Sequence, residues 1–375
     1  MNSTHVFAQS TGPAESQSKP SLFRDPSDGG FDISGFLSTR TGFLPIAMPI
    51  TEPAVGYGLA LGVSYFHEKP QVVQGSDGEK RAIMPSTTVL FGAATENETW
   101  GAGVGHLGVW DKGHVRYMGA VGYVSLNLDW FGKGDALHGR SISYTNDVAF
   151  LYQQINFQIA GSNFFIGPYY RFLSTDSTFA FTTLNSRIPD FELQSQISGV
   201  GLDLSYDTRD QPFSPTKGIR ADINYSQQAD WLASDFDYGK LAMYAIVYMP
   251  LSDKVVLGVH LDGQFNVGHA PFYDLTMLNM RGVPLGRYVD NDEILAEAEL
   301  RWDITRRWSL VGFGGIGRVA DNPGDLLNAE NHPAVGAGFR YLIAEQYGLR
   351  MGVDVAHSDD DWAAYITVGT GWLRP

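Results

Sequence analysis

Apolar and polar residues alternate with a period of two through most of the chain beyond residue 40, and this pattern constrains the fold more than any other feature. Between Val255 and Val267 the odd positions are Val255, Leu257, Val259, Leu261, Gly263, Phe265 and Val267, while the even ones include His260, Asp262, Gln264 and Asn266. One face suits lipid and the other water. Tyr347, Leu349, Met351, Val353 and Val355 alternate with Arg350 and Asp354, and Leu202, Leu204 and Tyr206 with Asp203, Ser205 and Asp207. The longest apolar run, from Leu241 to Leu251, is about half the roughly 20 residues that a membrane-spanning helix needs. Any span across a membrane must therefore be a strand.

The alternation divides into segments near 43–50, 55–67, 83–94, 98–110, 114–130, 142–159, 163–173, 196–209, 218–229, 236–250, 254–268, 293–304, 307–319, 333–343, 347–357 and 361–373. Most match the 9 to 11 residues of a tilted transmembrane strand, and a count of about sixteen is even, as a bacterial barrel requires. The pattern predicts an all-β fold, a closed antiparallel transmembrane barrel over residues 40–375 after a flexible leader and short plug segment at 1–39. Phe31 to Leu37 within that leader fits a helical turn or an extended approach to the first strand equally well.

Connection lengths set the orientation. The short turns 249–253, 305–307 and 344–347 are expected in the periplasm, and the long connections 174–195, 269–292 and 320–332 outside. Asp176, Asp235 and Asp325 are then extracellular, while Lys254, Arg306 and the polar stretch His67 to Arg81 are periplasmic.

Composition removes other classes. Cysteine is absent, which excludes a disulfide framework, a thiolate zinc site and a cysteine nucleophile. The 43 glycines, 18 tyrosines, 22 phenylalanines and 8 tryptophans suit tight turns and aromatic girdles. With 26 basic against 41 acidic residues and a formal charge of -15, the chain has the wrong sign for a nucleic-acid partner. The first residues lack the basic and apolar regions of a complete signal peptide, so export is inferred from the barrel.

Several motifs invite a chemical reading and are better explained by the wall. Gly103-Val-Gly-His-Leu-Gly108 has the letters of a dinucleotide fingerprint but sits inside an alternating segment, not before a helix. His260 and Asp262 share a polar face with no nucleophile identifiable beside them. His357-Ser-Asp-Asp-Asp361 reads as a solvated loop, not a triad or calcium site. No catalytic residue, metal site or cofactor is expected.

Two stretches carry more information. Asp207-Thr-Arg209-Asp210-Gln-Pro212-Phe213-Ser214-Pro215-Thr-Lys-Gly218 joins two alternating segments, and Met280-Arg281-Gly282-Val-Pro-Leu-Gly-Arg-Tyr-Val-Asp-Asn291 leads into Glu297-Ala-Glu299-Leu-Arg301. They resemble the periplasmic turn and the sixth extracellular loop of the bacterial surface-antigen superfamily of outer-membrane β-barrels, which includes the BamA insertase, TamA and the two-partner secretion transporters. The resemblance implies that Arg281 and Gly282 anchor a loop folded into the lumen, with Glu299 and Glu297 as acids, and that Tyr365 to Trp372, with Gly369, Gly371 and Trp372, forms a closing strand and assembly signal. The family's acid on the following strand is replaced by Gly315, so Arg281 is expected to meet fewer carboxylates.

The superfamily's insertases carry periplasmic POTRA domains of roughly 70 residues, and about 40 residues precede the first segment here, so the likeness is to a barrel-only branch. It implies an integral protein of the bacterial outer membrane, not an enzyme. Lipopolysaccharide and other outer-membrane lipids, the barrel assembly machinery and a protein or lipid substrate are the implied partners. Two roles stand: assisting insertion or transport through a seam between the first and last strands, or a passive or plugged pore for small solutes.

Overall fold

The protein is described by a computed structural model covering residues 22–39, 42–69, 71–74, 80–83, 85–134, 136–138, 140–179, 191–359 and 361–372. The alternating segments form sixteen strands: β1 Gly42–Ile50, β2 Gly58–Phe66, β3 Thr87–Thr95, β4 Trp100–Trp110, β5 Val115–Trp130, β6 Ile142–Gln158, β7 Phe164–Phe179, β8 Phe191–Asp207, β9 Gly218–Gln228, β10 Tyr238–Ser252, β11 Val255–Gly268, β12 Asp292–Asp303, β13 Trp308–Ala320, β14 His332–Ala344, β15 Leu349–Ser358 and β16 Asp361–Val368. Each pairs antiparallel with its neighbour in sequence, giving one sheet from β1 to β16. The two end strands approach each other but share no hydrogen-bonded ladder, so the barrel is nearly closed.

The period of two decides which side chains face lipid. Leu61, Val63, Val104, Val121, Leu261 and Leu300 lie exposed on the outer wall, while alternate residues such as His260, Glu297, Glu299 and Arg340 are buried inward. Exposed aromatics mark both rims: Tyr57, Trp100 and Trp362 at one, Trp110, Trp302 and Trp308 at the other. This is the apolar band between aromatic girdles of an outer-membrane barrel.

Three boundaries differ from the sequence expectation. Both ends of the expected long loop at 174–195 are strand, because β7 runs to Phe179 and β8 starts at Phe191, and residues 180–190 between them lie outside the described residues. Its Thr and Ser residues hide the alternation, yet Thr175 and Ser177 point inward, the latter bonding Asn146 Oδ1 at 2.9 Å. Asp176 is thus a strand residue whose carboxylate accepts from Gln194 Nε2 at 2.9 Å. The polar stretch after β2 contributes a separate hairpin, Gln71–Gln74 with Lys80–Ile83. The last strand ends at Val368, five residues early, because Gly369 adopts φ +82° and turns the chain off the wall. Asp235 and Asp325 lie in connections at one rim, Lys254 and Arg306 at the other.

Residues 22–39 of the expected leader dock under the β12–β13 and β14–β15 turns. Ser34–Thr39 forms a short helix whose start is capped by Asp32, the Oδ1 of which accepts from Ser34 N at 2.7 Å. Arg307 holds the segment by three carboxylates: Nη2 to Asp25 at 2.7 Å, Nε to Asp28 at 2.5 Å and Nη1 to Asp32 at 3.1 Å. The Ser27 amide and hydroxyl lower the Asp25 pKa, and the Arg307 guanidinium lowers that of Asp28. Burial works against the Asp32 charge, but bonds from Ser34, Glu345 N and Arg307 outweigh it and its pKa also falls. Depressed carboxylate pKa values make docking fully favourable above the free-aspartate value near 3.9 and progressively weaker below it. A nitroxide at Arg24→Cys is therefore expected to be immobilised at pH 7 and to gain mobility as the pH falls below about 4; constant mobility down to pH 2.5 would contradict this.

Candidate functional site

Arg281 sits in a polar cluster on the inner wall, with Glu297, Glu299, Arg340 and Asp354. Met280 to Val283 form a tight turn within the β11–β12 connection, and Gly282 has φ +101° with little room for a Cβ, which would stand 3.2 Å from Ala356 Cβ and 3.3 Å from Ala334 Cβ. The positive φ is one that glycine adopts without strain, and the close approach adds to that preference. The bend aims Arg281 at inward-facing acids. Its Nη1 donates to Glu299 Oε2 at 2.6 Å and to Asp354 Oδ2 at 3.3 Å, and its Nε lies 3.9 Å from Glu297 Oε1. The guanidinium also stacks 3.7 Å above the Phe313 ring.

Each acid has further partners, which fixes the cluster. Asp354 accepts from Arg340 Nη1 at 2.5 Å, Arg340 Nη2 at 2.8 Å and Thr367 Oγ1 at 3.0 Å. Glu297 Oε2 is 3.0 Å from His260 Nδ1 and accepts from the indole Nε1 of Trp372 at 2.7 Å. Charges buried this deeply are tolerated only when paired and hydrogen-bonded on several sides.

Two expectations need correction. Arg281 does not meet fewer carboxylates for want of an acid at Gly315: Asp354 on β15 supplies one instead, and Gly315 leaves the space that Met280 Sδ fills, 2.7 Å from where its Cβ would be. A lone acid on the inward parity of β15 was the available signal. Gly369, Gly371 and Trp372 do not belong to the closing strand. After Gly369 the chain turns inward, and Trp372 packs on Tyr244, Ile246, Tyr248 and Val256 with its ring 5.3 Å from the Arg281 guanidinium. Gly371 passes so close that a Cβ there would lie 2.5 Å from Arg281 Cζ. The C-terminal residues thus join the site that the arginine organises, a role the sequence did not suggest.

The connection is also tied at its other end. Asp274 bonds Arg171 of β7 at 2.5 Å, Tyr238 of β10 and Lys240 of β10, whose Nζ donates to the Asp274 carbonyl at 3.0 Å. Phe272 sits among Trp130, Tyr144 and Phe179. Leu285 N donates to Glu52 Oε1 at 3.0 Å, and Gly282 N to the Tyr365 hydroxyl at 3.1 Å, so both end regions of the sheet are contacted.

The 207–218 turn folds back beneath the wall. Asp207 bonds Arg209 Nε at 3.0 Å and lies 3.3 Å from both Arg116 and Arg220. Asp210 closes the turn by accepting from Thr216 Oγ1 at 2.6 Å. The carbonyls of Ser214 and Pro215 each lie 3.4 Å from Arg301 Nη1 of β12. Pro212 and Phe213 are half-buried, and Gly218 has φ +107°. His260 faces inward beside Asp262 and Glu297, within reach of no nucleophilic side chain among its described contacts. Gly103 to Gly108 lie within β4, and His357 stacks on Trp362 at the outer wall.

Fold, girdles and inner cluster define an integral β-barrel of the bacterial outer membrane. Residues 130–280 match the Omp85 superfamily domain. Its fold is similar to that of BamA from Haemophilus ducreyi lacking POTRA domains 1–3, with TM-score 0.57 and 12% identity over 88% of this chain and 70% of that one. It is also similar to CdiB from Escherichia coli, with TM-score 0.61 and 10% identity over 88% and 62%. CdiB from Acinetobacter baumannii matches with TM-score 0.55 and 10% identity over 87% and 59%. No curated protein sequence matches the chain.

Proposed function

We propose that the protein assists insertion or translocation of a polypeptide or lipid at the outer membrane through the β1–β16 seam. The observation that carries this reading is the seam itself, sixteen strands in one sheet whose ends share no ladder. In a bilayer, unpaired edge groups are costly, so a barrel that leaves them unpaired holds an edge ready to open or to receive a strand. Residues 269–291 are folded into the lumen as a plug, with Arg281, Gly282, Glu299 and Glu297 as anchor. The 207–218 turn closes the periplasmic side, and residues 22–39 cap it. The passive pore is the weaker reading, because ion pairs and packed aromatics tie the plug at both ends.

The implied partners are a protein or lipid client, lipopolysaccharide at the outer rim and the assembly machinery during biogenesis. Purified protein in liposomes should accelerate folding of a client barrel and conduct ions weakly. A cysteine pair bridging Ala47 and Ala364 across the seam should abolish the acceleration when oxidised and restore it on reduction. Acceleration unaffected by the oxidised bridge, or large steady conductance with no effect on the client, would overturn the proposal.

A further inference from the structure

The lipid-facing side of the wall carries a run of polar side chains near the periplasmic rim. Leu59, Leu61, Val63 and Tyr65 place the odd residues of β2 outward, Leu90 the even residues of β3, and Val104 and Trp110 the even residues of β4. His67, Thr88 and His106 fall on these outward sets, one residue past the end of β2, second in β3 and four residues before the end of β4. Thr88 stands opposite His106 in one ladder and opposite Tyr65 in the other. Its Oγ1 lies 2.8 Å from His67 Nε2 and 2.8 Å from His106 Nδ1, so one hydroxyl links two imidazoles across three strands.

A hydroxyl has a single proton, so it donates to one ring and accepts from the other. In the neutral pair, one of the two remaining ring nitrogens, His67 Nδ1 and His106 Nε2, therefore carries a proton and the other does not. One added proton puts N–H on both while the hydroxyl still serves both rings. Neither of these nitrogens has a hydrogen-bond partner among the described residues, and no carboxylate there is paired with either ring. Glu68, the next residue along, turns its Oε1 instead to Ser86 N and Oγ, at 2.9 Å each. The rings stand among aromatics, with Tyr65 at 4.9 Å from His67 and Tyr117 and Trp110 at 5.8 and 6.5 Å from His106. His67 is exposed and His106 half-buried. The free N–H groups thus face the membrane interface with no protein acceptor.

We propose that this run is a binding site for the phosphodiester of a phospholipid in the periplasmic leaflet, with His67 and His106 donating to the phosphate oxygens and Thr88 positioning both rings. A polar group left without a partner beside hydrocarbon is costly, and the headgroup oxygens that lipid brings to the level of a Trp and Tyr girdle are the acceptors within reach. A pair that holds one extra proton offers a positive charge and two N–H groups, which matches a singly charged diester with two unesterified oxygens. Leu61, Leu90 and Val104 continue the same outer face into the apolar band, where acyl chains lie. The occupant is therefore a lipid and not a free anion. The site stands on the outer wall and depends on neither the seam nor the plug.

Carbethoxylation of histidine by diethyl pyrocarbonate, read residue by residue by mass spectrometry, tests this on the full-length chain in maltoside micelles, which contain no phosphate. Dihexanoyl phosphatidylglycerol is the probe, because it has no amine to consume the reagent. It should slow modification of both His67 and His106 and leave His114 of the β4–β5 turn, whose side chain is 55% exposed, unprotected. Dihexanoylglycerol and inorganic phosphate at the same concentration should protect neither. Thr88→Val removes the hydroxyl at nearly constant shape and should raise the phosphatidylglycerol concentration for half-protection about 10-fold, the scale of one hydrogen bond to a charged group, while Thr88→Ser should stay within about 2-fold of the parent. The heat-modifiable gel shift of the barrel should persist in both, and the comparison of the three probes on the parent chain decides the proposal even where a variant fails to assemble. Protection by dihexanoylglycerol would mean apolar shielding, and protection by inorganic phosphate a free-anion site. Protection of His114 alongside the pair would mean a general surface effect, and no protection, or indifference to Thr88→Val, a solvated pair. Each of these results would overturn the proposal.

Discussion

Arg281→Ala leaves the barrel assembled at near-normal levels and disorders the connection from 270 to 292. Removing one partner of a buried ion pair costs about 3–5 kcal/mol, mostly the penalty of the charge left behind. That charge is Glu299, because Asp354 keeps Arg340 and Thr367. The wall has its own hydrogen-bond network and does not depend on the clamp. Limited proteolysis within 270–292 should therefore accelerate by about 100-fold or more, with the gel shift unchanged. Glu299→Gln should resemble it, and the double variant should be little worse than either, since the residues act as a unit. Asp354→Asn should exceed Glu299→Gln because it also strands Arg340. Additive effects, or unchanged protection, would show that Arg281 does not hold the loop.

Trp372→Ala separates two roles for the C-terminus. Truncating a buried tryptophan costs about 3–5 kcal/mol, and here the loss includes the bond to Glu297 Oε2 and the packing on Tyr244, Ile246, Tyr248 and Val256. If this residue serves the folded barrel, the variant should reach the membrane in normal amounts while carboxypeptidase removes its last residues at least about 10-fold faster. The loop protease sites should also open, because the indole ring neighbours Arg281. Loss of assembled barrel with no change in the protection of the survivors would instead assign Trp372 to recognition during biogenesis.

The sequence by itself determined the wall. Alternation such as that of Val255 to Val267 placed all sixteen strands, because a strand buried on one side and in lipid on the other has no other way to satisfy both solvents. It also singled out Arg281, Gly282, Glu297 and Glu299, since an unusual turn followed by acids on one parity is local information. It failed where polarity stopped reporting lipid contact. Thr175 and Ser177 continue β7 inward, with no apolar signal to mark them.

Tertiary structure alone decided what meets across the lumen. Asp354 lies 73 residues from Arg281 and joins it only because the curved sheet turns the inner faces of β12 and β15 toward the same loop residue. Trp372 arrives from a chain end whose turn at Gly369 is a matter of one backbone angle. Pro45 and Pro49 are local information, but only the register assigns their missing donors to the open edge and not to β2. A period of two fixes which solvent a residue faces, while the partner it meets there depends on how sixteen strands close.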